Sequence, residues 1–501
     1  MNLAHLLLRG TTYGGERPAW KYGSDTATYR EMVDRVSQLA AGLTAAGLRP
    51  GDRIVLDLPN RPELLEMLWT CFWGGFVAVP LNWHLHASEV GYVVEDCGAA
   101  VVLVAKETAD HAVGLPASVR VLSCDTSAGQ PLTDVLGVSG LPPRDTRPDD
   151  PAWLFYTSGT TGRPKGAVLS HRNLLSMTLN YYSDVDPVSP GSVYLHAAPL
   201  SHGSGLYLLP ATGHGATNVI MSSTSFDADS YLDLVAAERV SHAAFLAPTM
   251  LNRVVAVARP RDPRLATLRS IVIGGAPFYR EDVLRARDRL GPIVHQIYGQ
   301  GEAPMTITAL RADEWTQARL PSCGRPFSGV EVRVVDAAGR DVTVGESGEV
   351  AVRGDVVMSG YWNNPSATAQ ALRNGLLHTG DIGHFDEHGF LYLTDRAKDV
   401  IITGGSNVYP REVEEVLLTH PAVSEVAVVG LPDPAWGESI CAVVVTVQDA
   451  TVSKEELVEY CRDHLASFKK PREVVFVAEL PKNATGKVLK RGLRDLDPRS
   501  H

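Results

Sequence analysis

Short apolar runs alternate with longer amphipathic ones along most of this chain. Arg53 to Leu58, Phe76 to Val79 and Ala100 to Val104 read as strands, and Pro62 to Trp73 and Ser88 to Asp96 carry helical spacing between them. A parallel strand pair needs a crossover long enough to hold a helix, so this order predicts a mainly parallel sheet with helices on its faces. Thr28 and Glu31 form a capping box, after which Met32, Val33, Val36, Leu39, Ala40 and Leu43 fall on one helical stripe. A second α/β unit includes a helix over Tyr231 to Glu238 and strands over His242 to Leu246 and Ser270 to Ile273. Short β pieces with turns follow from Gly329 to Arg353. Beyond Asp395 comes a compact run of strand, helix, strand, strand, helix and strand.

The run Tyr156 to Gly166, YTSGTTGRPKG, sets four hydroxyls among three glycines and ends in a Pro-Lys-Gly. Glycines let backbone N–H groups approach an anion, hydroxyls add donors, and a lysine adds a compact positive charge. Apolar runs on both sides make it a connection between strands, and its spacing is not that of a Walker A loop. A plain Gly/Ser/Thr linker would not place Pro-Lys-Gly directly before a β-type run. The run reads as a loop that wraps a polyphosphate.

Composition narrows the partners. Lysine and arginine total 46 against 57 aspartate and glutamate, a net charge of −11, and no long basic cluster is present. Nucleic acid and anionic membrane are poor partners for such a surface. Six scattered cysteines, with no CxxC pair, fit a reduced compartment better than a disulfide framework. The first ten residues do not make a signal peptide, and the most apolar window, Met67 to Leu81, is broken by Gly74-Gly75 and ends against Pro80. A cytoplasmic protein with no membrane span is expected.

Further short motifs carry chemistry. Tyr298-Gly299-Gln300-Gly301-Glu302 closes an apolar strand, with an aromatic that could stack on a base and a carboxylate that could hold Mg²⁺. Thr379-Gly380-Asp381 reads as following a helix-to-loop transition, and its aspartate could accept from ribose hydroxyls. His202 stands alone in its segment. Thr485-Gly486-Lys487 near the C-terminus could bring a lysine onto charge developing at a carboxylate–phosphate centre. Taken singly, a surface turn, a structural histidine or a tail lysine would explain each one.

Together, in this order and over nearly the whole chain, the motifs resemble those of adenylate-forming enzymes, in particular the acyl- and aryl-CoA synthetase branch. The resemblance implies an α/β fold: a large N-terminal domain, 1–395, of two doubly wound α/β subdomains plus a small β subdomain, and a small mobile α+β domain, 396–501. It implies that Thr157, Ser158, Gly159, Thr160, Thr161, Gly162 and Lys165 handle the ATP phosphates. Gly275, Ala276 and Pro277 would border the adenine, with Tyr298, Gly299, Gln300 and Gly301 beside it. Glu302 would coordinate Mg²⁺, and Asp381 and Arg396 would hold the ribose. Lys487 would serve adenylation, Lys398 the domain hinge, and His202 a gate to the acyl pocket. Gly404 and Gly405 would line the path of coenzyme A. A carboxylic acid would react with ATP to give acyl-AMP, and the CoA thiolate would then expel AMP, with domain rotation between the steps.

One position departs from the motif. The residue before Glu302 is usually threonine and here is Gly301, which removes a donor at the α-phosphate and predicts weak or lost adenylation. In the extreme, the protein would act only on acyl-AMP supplied by a partner adenylating enzyme. Around the acyl group the sequence offers Gly203, Ser204, Gly205, Leu206, Phe245, Ala247, Gly274, Met305 and Ile307, none of them cationic. Their glycines predict room for an apolar acid that is bulky or ring-containing. Two competing readings remain: an amino-acid-activating domain, suggested by Phe226-Asp227, and a non-catalytic nucleotide-binding protein. The oligomeric state is open, a dimer included.

Overall fold

A computed structural model describes residues 2–125, 128–137, 139–157, 163–222, 225–276, 278–396, 399–403, 406–433, 436–466, 469–482 and 488–494. The expected strands and helices stand within a residue or two of their sequence bounds: Arg53–Asp57, Pro62–Gly74, Val77–Pro80, Ala87–Cys97 and Val101–Val104. The capping box is made as read, with Thr28 N donating to Glu31 Oε2 at 2.8 Å and Glu31 N to Thr28 Oγ1 at 3.2 Å. The helix it starts, Tyr29–Ala45, buries Met32, Val36, Leu39, Ala40 and Leu43.

Two large sheets form the main body. One has seven strands; Arg53–Asp57, Val77–Pro80, Val101–Val104 and Arg120–Ser123 run parallel, and the hairpin Pro151–Thr157 with Lys165–Ser170 closes one edge. The other has nine, with a parallel centre of Val193–His196, Thr217–Ile220, His242–Leu246, Ser270–Ile273 and Val294–Tyr298. This second sheet also takes in Pro18–Tyr22, which pairs parallel with Thr217–Ile220. That N-terminal strand had no signature in the sequence pattern, because its partner lies far along the chain.

The small β subdomain is larger than Gly329 to Arg353. Its five-stranded sheet runs from Val330–Val335 through Gly348–Gly354 and Leu376–Phe385 to Leu391–Arg396. Asp381 therefore lies within a strand, not just after a helix-to-loop transition: helix Pro365–Ala371 ends earlier, and a tight hairpin with Leu372–Arg373 intervenes. A separate five-stranded sheet, with Gly437–Thr446 at its centre and Val423–Asp433 along one edge, builds the C-terminal unit together with helices Pro410–Leu418 and Lys454–His464. Among the described residues, no helix is long and apolar enough to cross a membrane.

One buried carboxylate stands out in the main core. Glu66 accepts from Trp20 Nε1 at 3.1 Å and meets Arg35 at 2.9 Å, with a side chain only 1% exposed. Burial pushes its carboxyl up to about 7, against the pull of Arg35. An acid raised in this way favours the folded state while protonated. Its contribution is full below its ordinary 4.5 and is lost as pH rises through about 7. Glu66→Gln keeps the acceptor for Trp20 and should flatten the fall of melting temperature from about pH 5 to about pH 8. An unchanged slope in thermal melts of the variant would show that Glu66 stays ionised.

Candidate functional site

The phosphate-loop region is a hairpin whose second strand, Lys165–Ser170, would be left as a sheet edge. Residues 359–362 cover it: Val168 N donates to Gly360 O at 2.9 Å, Ser359 N to Val168 O at 3.0 Å and Trp362 N to Gly166 O at 2.8 Å. Asn173, which also caps helix His171–Asp184, holds the approach to this strap by donating to Asp355 O and Val357 O at 2.7 and 2.8 Å. The strap delivers Tyr361 to the loop mouth. Its hydroxyl donates to Glu302 Oε1 at 2.7 Å, and Thr157 Oγ1 donates to the same oxygen at 3.3 Å. The Lys165 ammonium sits 5.5 Å from the Tyr361 ring centroid. Burial and the Glu302 charge drive the Tyr361 phenol upward, so it stays a neutral donor.

The loop is also held at its base. Tyr156 OH donates to Asp96 Oδ2 at 2.6 Å, and Tyr92 OH to Pro164 O at 3.2 Å, both from helix Ala87–Cys97. Ser158 to Gly162 lie outside the described residues, as do Pro277, Lys398, Gly404, Gly405 and Lys487. Thr157, Lys165 and Glu302 thus come together as read, while Tyr361, Tyr92 and Asp96 were missed. A Gly-Tyr pair before a proline-led helix is too common a pattern to be singled out from one sequence.

A second cluster forms around Asp381. Tyr298 OH and Gln300 Nε2 both donate to Asp381 Oδ2 at 2.6 Å, and Gln300 Nε2 also reaches Thr379 O at 3.0 Å. Asp381 pairs with Arg396 across the strand ladder. Gly275 adopts φ 79°, a left-handed turn that lets the chain leave strand Ser270–Ile273 sharply, with Ala276 following. Tyr298 is 9% exposed, and its visible task in the chain is to fix Asp381.

The third cluster surrounds His202. Asn60 clamps the preceding loop with both ends of its amide, Nδ2 to Ala198 O at 2.9 Å and Leu200 N to Oδ1 at 2.8 Å. The Phe155 and His202 rings meet edge to face, centroids 5.6 Å apart. Burial pulls the imidazole down to about 4, so it is neutral at physiological pH. Deeper in, His196 bonds Ser204 Oγ and Asn218 Oδ1, each at 3.0 Å.

The Cβ positions of the glycines here face protein atoms. A Cβ on Gly203 would lie 3.0 Å from the Phe245 ring, one on Gly205 would lie 1.8 Å from Leu200 O, and one on Gly274 would lie 2.8 Å from Ile297 O. Protein atoms already fill those spaces. The same holds at Gly301, where a Cβ would meet Thr157 Cγ2 at 2.4 Å and Phe155 Cδ1 at 2.8 Å. Asp227 is likewise accounted for locally: it caps helix Ala228–Ala237 by accepting from Ser230 N at 2.8 Å.

Among the described residues, no group of three or more His, Cys, Asp or Glu side chains could hold a metal ion. A cation at Glu302 would share this one carboxylate with ligand phosphates, the habit of Mg²⁺ rather than zinc. Its two donors both go to Oε1, and the nearby hydroxyl of Thr157 adds a hard oxygen, so the residues fit.

A hairpin with a carboxylate at its mouth and an aspartate fixed from a neighbouring sheet fit an adenylate-forming architecture. The chain belongs to the AMP-binding enzyme family: that family's model matches residues 9–362, and the AMP-binding enzyme C-terminal domain matches 412–487. It is similar to a feruloyl-CoA synthase of Amycolatopsis sp., 39% identical over 95% of both chains. It is also similar to the long-chain-fatty-acid–CoA ligase FadD13 of Mycobacterium tuberculosis, 36% identical over 93% of this chain and 92% of the other. Among solved structures, ATP-bound MatB from Rhodopseudomonas palustris superposes with a TM-score of 0.91 at 31% identity and 99% coverage of both chains. The apo form of MatB gives 0.80 over the same coverage.

Tyr361→Phe keeps the ring beside Lys165 and removes the donor to Glu302. A hydrogen bond to a charged group contributes about 1.5–3 kcal/mol, so the Mg²⁺ requirement should rise about tenfold. Mn²⁺ bound to the enzyme–ATP complex, counted by electron paramagnetic resonance, checks this apart from turnover. Unchanged Mn²⁺ binding would show that Glu302 needs no such support.

Proposed function

We propose that this protein is a cytoplasmic acyl-CoA ligase that activates an uncharged, apolar or aromatic carboxylic acid through acyl-AMP. The observation that carries this reading is the convergence of Thr157, Lys165 and Glu302 with Tyr298, Gln300 and Asp381 on one side and His202 on the other. Mg²⁺ at Glu302 would neutralise phosphate charge. Thr157 and Lys165 would orient the phosphates, and Asp381, braced by Tyr298 and Gln300, would present a charged acceptor to the ribose hydroxyls. The domain division, 1–395 and 396–501 with a hinge at Lys398, the roles of Lys487 and of Gly404-Gly405, and Arg396 as a ribose contact are part of the same proposal.

The acyl assignment is supported by ring chemistry rather than by empty space. Phe155, Phe245 and a neutral His202 line this side, and a second carboxylate on the acid would find no positive partner in those three groups. The resemblance to a feruloyl-CoA synthase favours an aryl acid.

Gly301 bears on the first half-reaction. The missing threonine hydroxyl predicts slow adenylation, but the space is occupied by the Thr157 methyl and the Phe155 ring edge. The same Thr157 side chain bonds Glu302 through its hydroxyl, which supports a retained adenylation step. Gly301→Thr should then lower acid-dependent ATP–pyrophosphate exchange, by about tenfold or more, since overpacking a close contact costs about 1–3 kcal/mol. A gain in exchange would instead favour a ligase fed with acyl-AMP by a partner enzyme.

Lys487→Ala should abolish exchange and spare thioester formation from synthetic acyl-AMP, because rotation of the C-terminal unit would carry Lys487 away before the second step. Equal loss in both half-reactions would remove Lys487 from its role. A panel of aryl, alkyl and dicarboxylic acids, read as CoA thioester, tests the substrate class, and preference for a dicarboxylic acid would overturn it.

A further inference from the structure

A buried carboxylate far from the phosphates joins the two parts of the molecule. Glu414, on helix Pro410–Leu418, is 2% exposed. Val428 N donates to its Oε1 at 2.8 Å, and Lys490 Nζ lies 2.7 Å from the same oxygen. Its other oxygen, Oε2, accepts from Tyr279 OH at 2.8 Å. Val428 and Lys490 belong with Glu414 to the C-terminal unit, but Tyr279 does not. It follows the Gly274-Gly275-Ala276 turn closely and stands at the start of helix Arg280–Leu290. Beside it, Arg280 N donates to Glu415 Oε2 at 3.3 Å.

Three features make this more than a packing contact. Burial drives the Tyr279 phenol far above its ordinary value, so it can act only as a neutral donor to a charged acceptor. A buried charge that loses a donor is costly, so separation of the pair is opposed from the Glu414 side. Lys490 opens the short helix Lys490–Leu493, three residues beyond Lys487, so the same carboxylate that meets Tyr279 also holds the segment next to that lysine.

We propose that Tyr279, Glu414 and Lys490 form a latch that holds the C-terminal unit in its adenylation arrangement and positions Lys487 for that step. The inference rests on the ligase reading above. The arrangement is assigned to adenylation for two reasons: Tyr279 is attached to the turn proposed to border adenine, and the whole chain superposes better on ATP-bound than on apo MatB. Rotation for thioester formation parts Tyr279 from Glu414 while Glu414, Val428 and Lys490 travel together. The three are positioning residues, acting through Lys487 and through the population of one arrangement.

The test separates the half-reactions. Tyr279→Phe removes one hydroxyl and should lower acid-dependent ATP–pyrophosphate exchange about tenfold. Thioester formation from synthetic acyl-AMP should hold or rise. Dyes placed on exposed positions of the two units should report a smaller docked fraction in the presence of ATP. Lys490→Ala should lower exchange in the same way with the docked fraction unchanged, because the variant keeps the Tyr279–Glu414 hydrogen bond between the two units. Equal effects of Tyr279→Phe on both half-reactions, or none on either, would overturn the latch. If wild type performs neither half-reaction with any acid, the ligase reading fails. The latch is then judged by the dyes alone: a lower docked fraction in Tyr279→Phe supports it and an unchanged one overturns it.

Discussion

The edge of one β-strand sets the geometry on which the site depends. The hairpin ends its sheet with Lys165–Ser170, and an open edge leaves backbone donors and acceptors unpaired. The protein closes that edge with residues 359–362, and the closure is what carries Tyr361 to Glu302. Backbone satisfaction and placement of a charged side chain are thus the same event. Asn173 adds to it by capping a helix with one end of its side chain and tethering the strap with the other.

Space near the reacting centre is governed by aromatic rings. Phe245 lies against Gly203 and Gly275, and Phe155 lies between His202 and Gly301. Glycine at these positions allows rings to approach the backbone, which is a packing role with a chemical result: the wall of the acyl side becomes apolar and His202 loses its charge. Desolvation lowers an imidazole and raises a phenol, so His202, Tyr298 and Tyr361 are all neutral where they stand, and the two phenols donate to Asp381 and Glu302.

Among the described residues, hydrogen bonds join the C-terminal unit to the rest: Tyr279 with Glu414, Arg280 with Glu415 and Arg411 with Leu393 O. Such bonds are directional and can be exchanged for water on rotation, whereas a large apolar interface would hold the two parts together in one arrangement.

The sequence by itself determined the class of fold and singled out a candidate phosphate loop and candidate site residues. Those signals are local: the period of apolar residues marks strands and helices, and Gly, Thr and Lys in one short run mark an anion loop. Thr157, Lys165, Glu302, Tyr298, Gln300 and Asp381 were legible because their chemistry is written next to them in the chain. Only the tertiary structure decided what stands opposite them. Pro18–Tyr22 joins a sheet whose other strands lie far away, Asp96 and Tyr92 brace a loop from a separate helix, and Tyr361 meets Glu302 through a strap over a strand edge. Gly301 read as a missing donor in the sequence, and only the structure shows the Thr157 methyl and Phe155 ring packed against it. Non-local pairing depends on how elements stack, and no short run of residues records it.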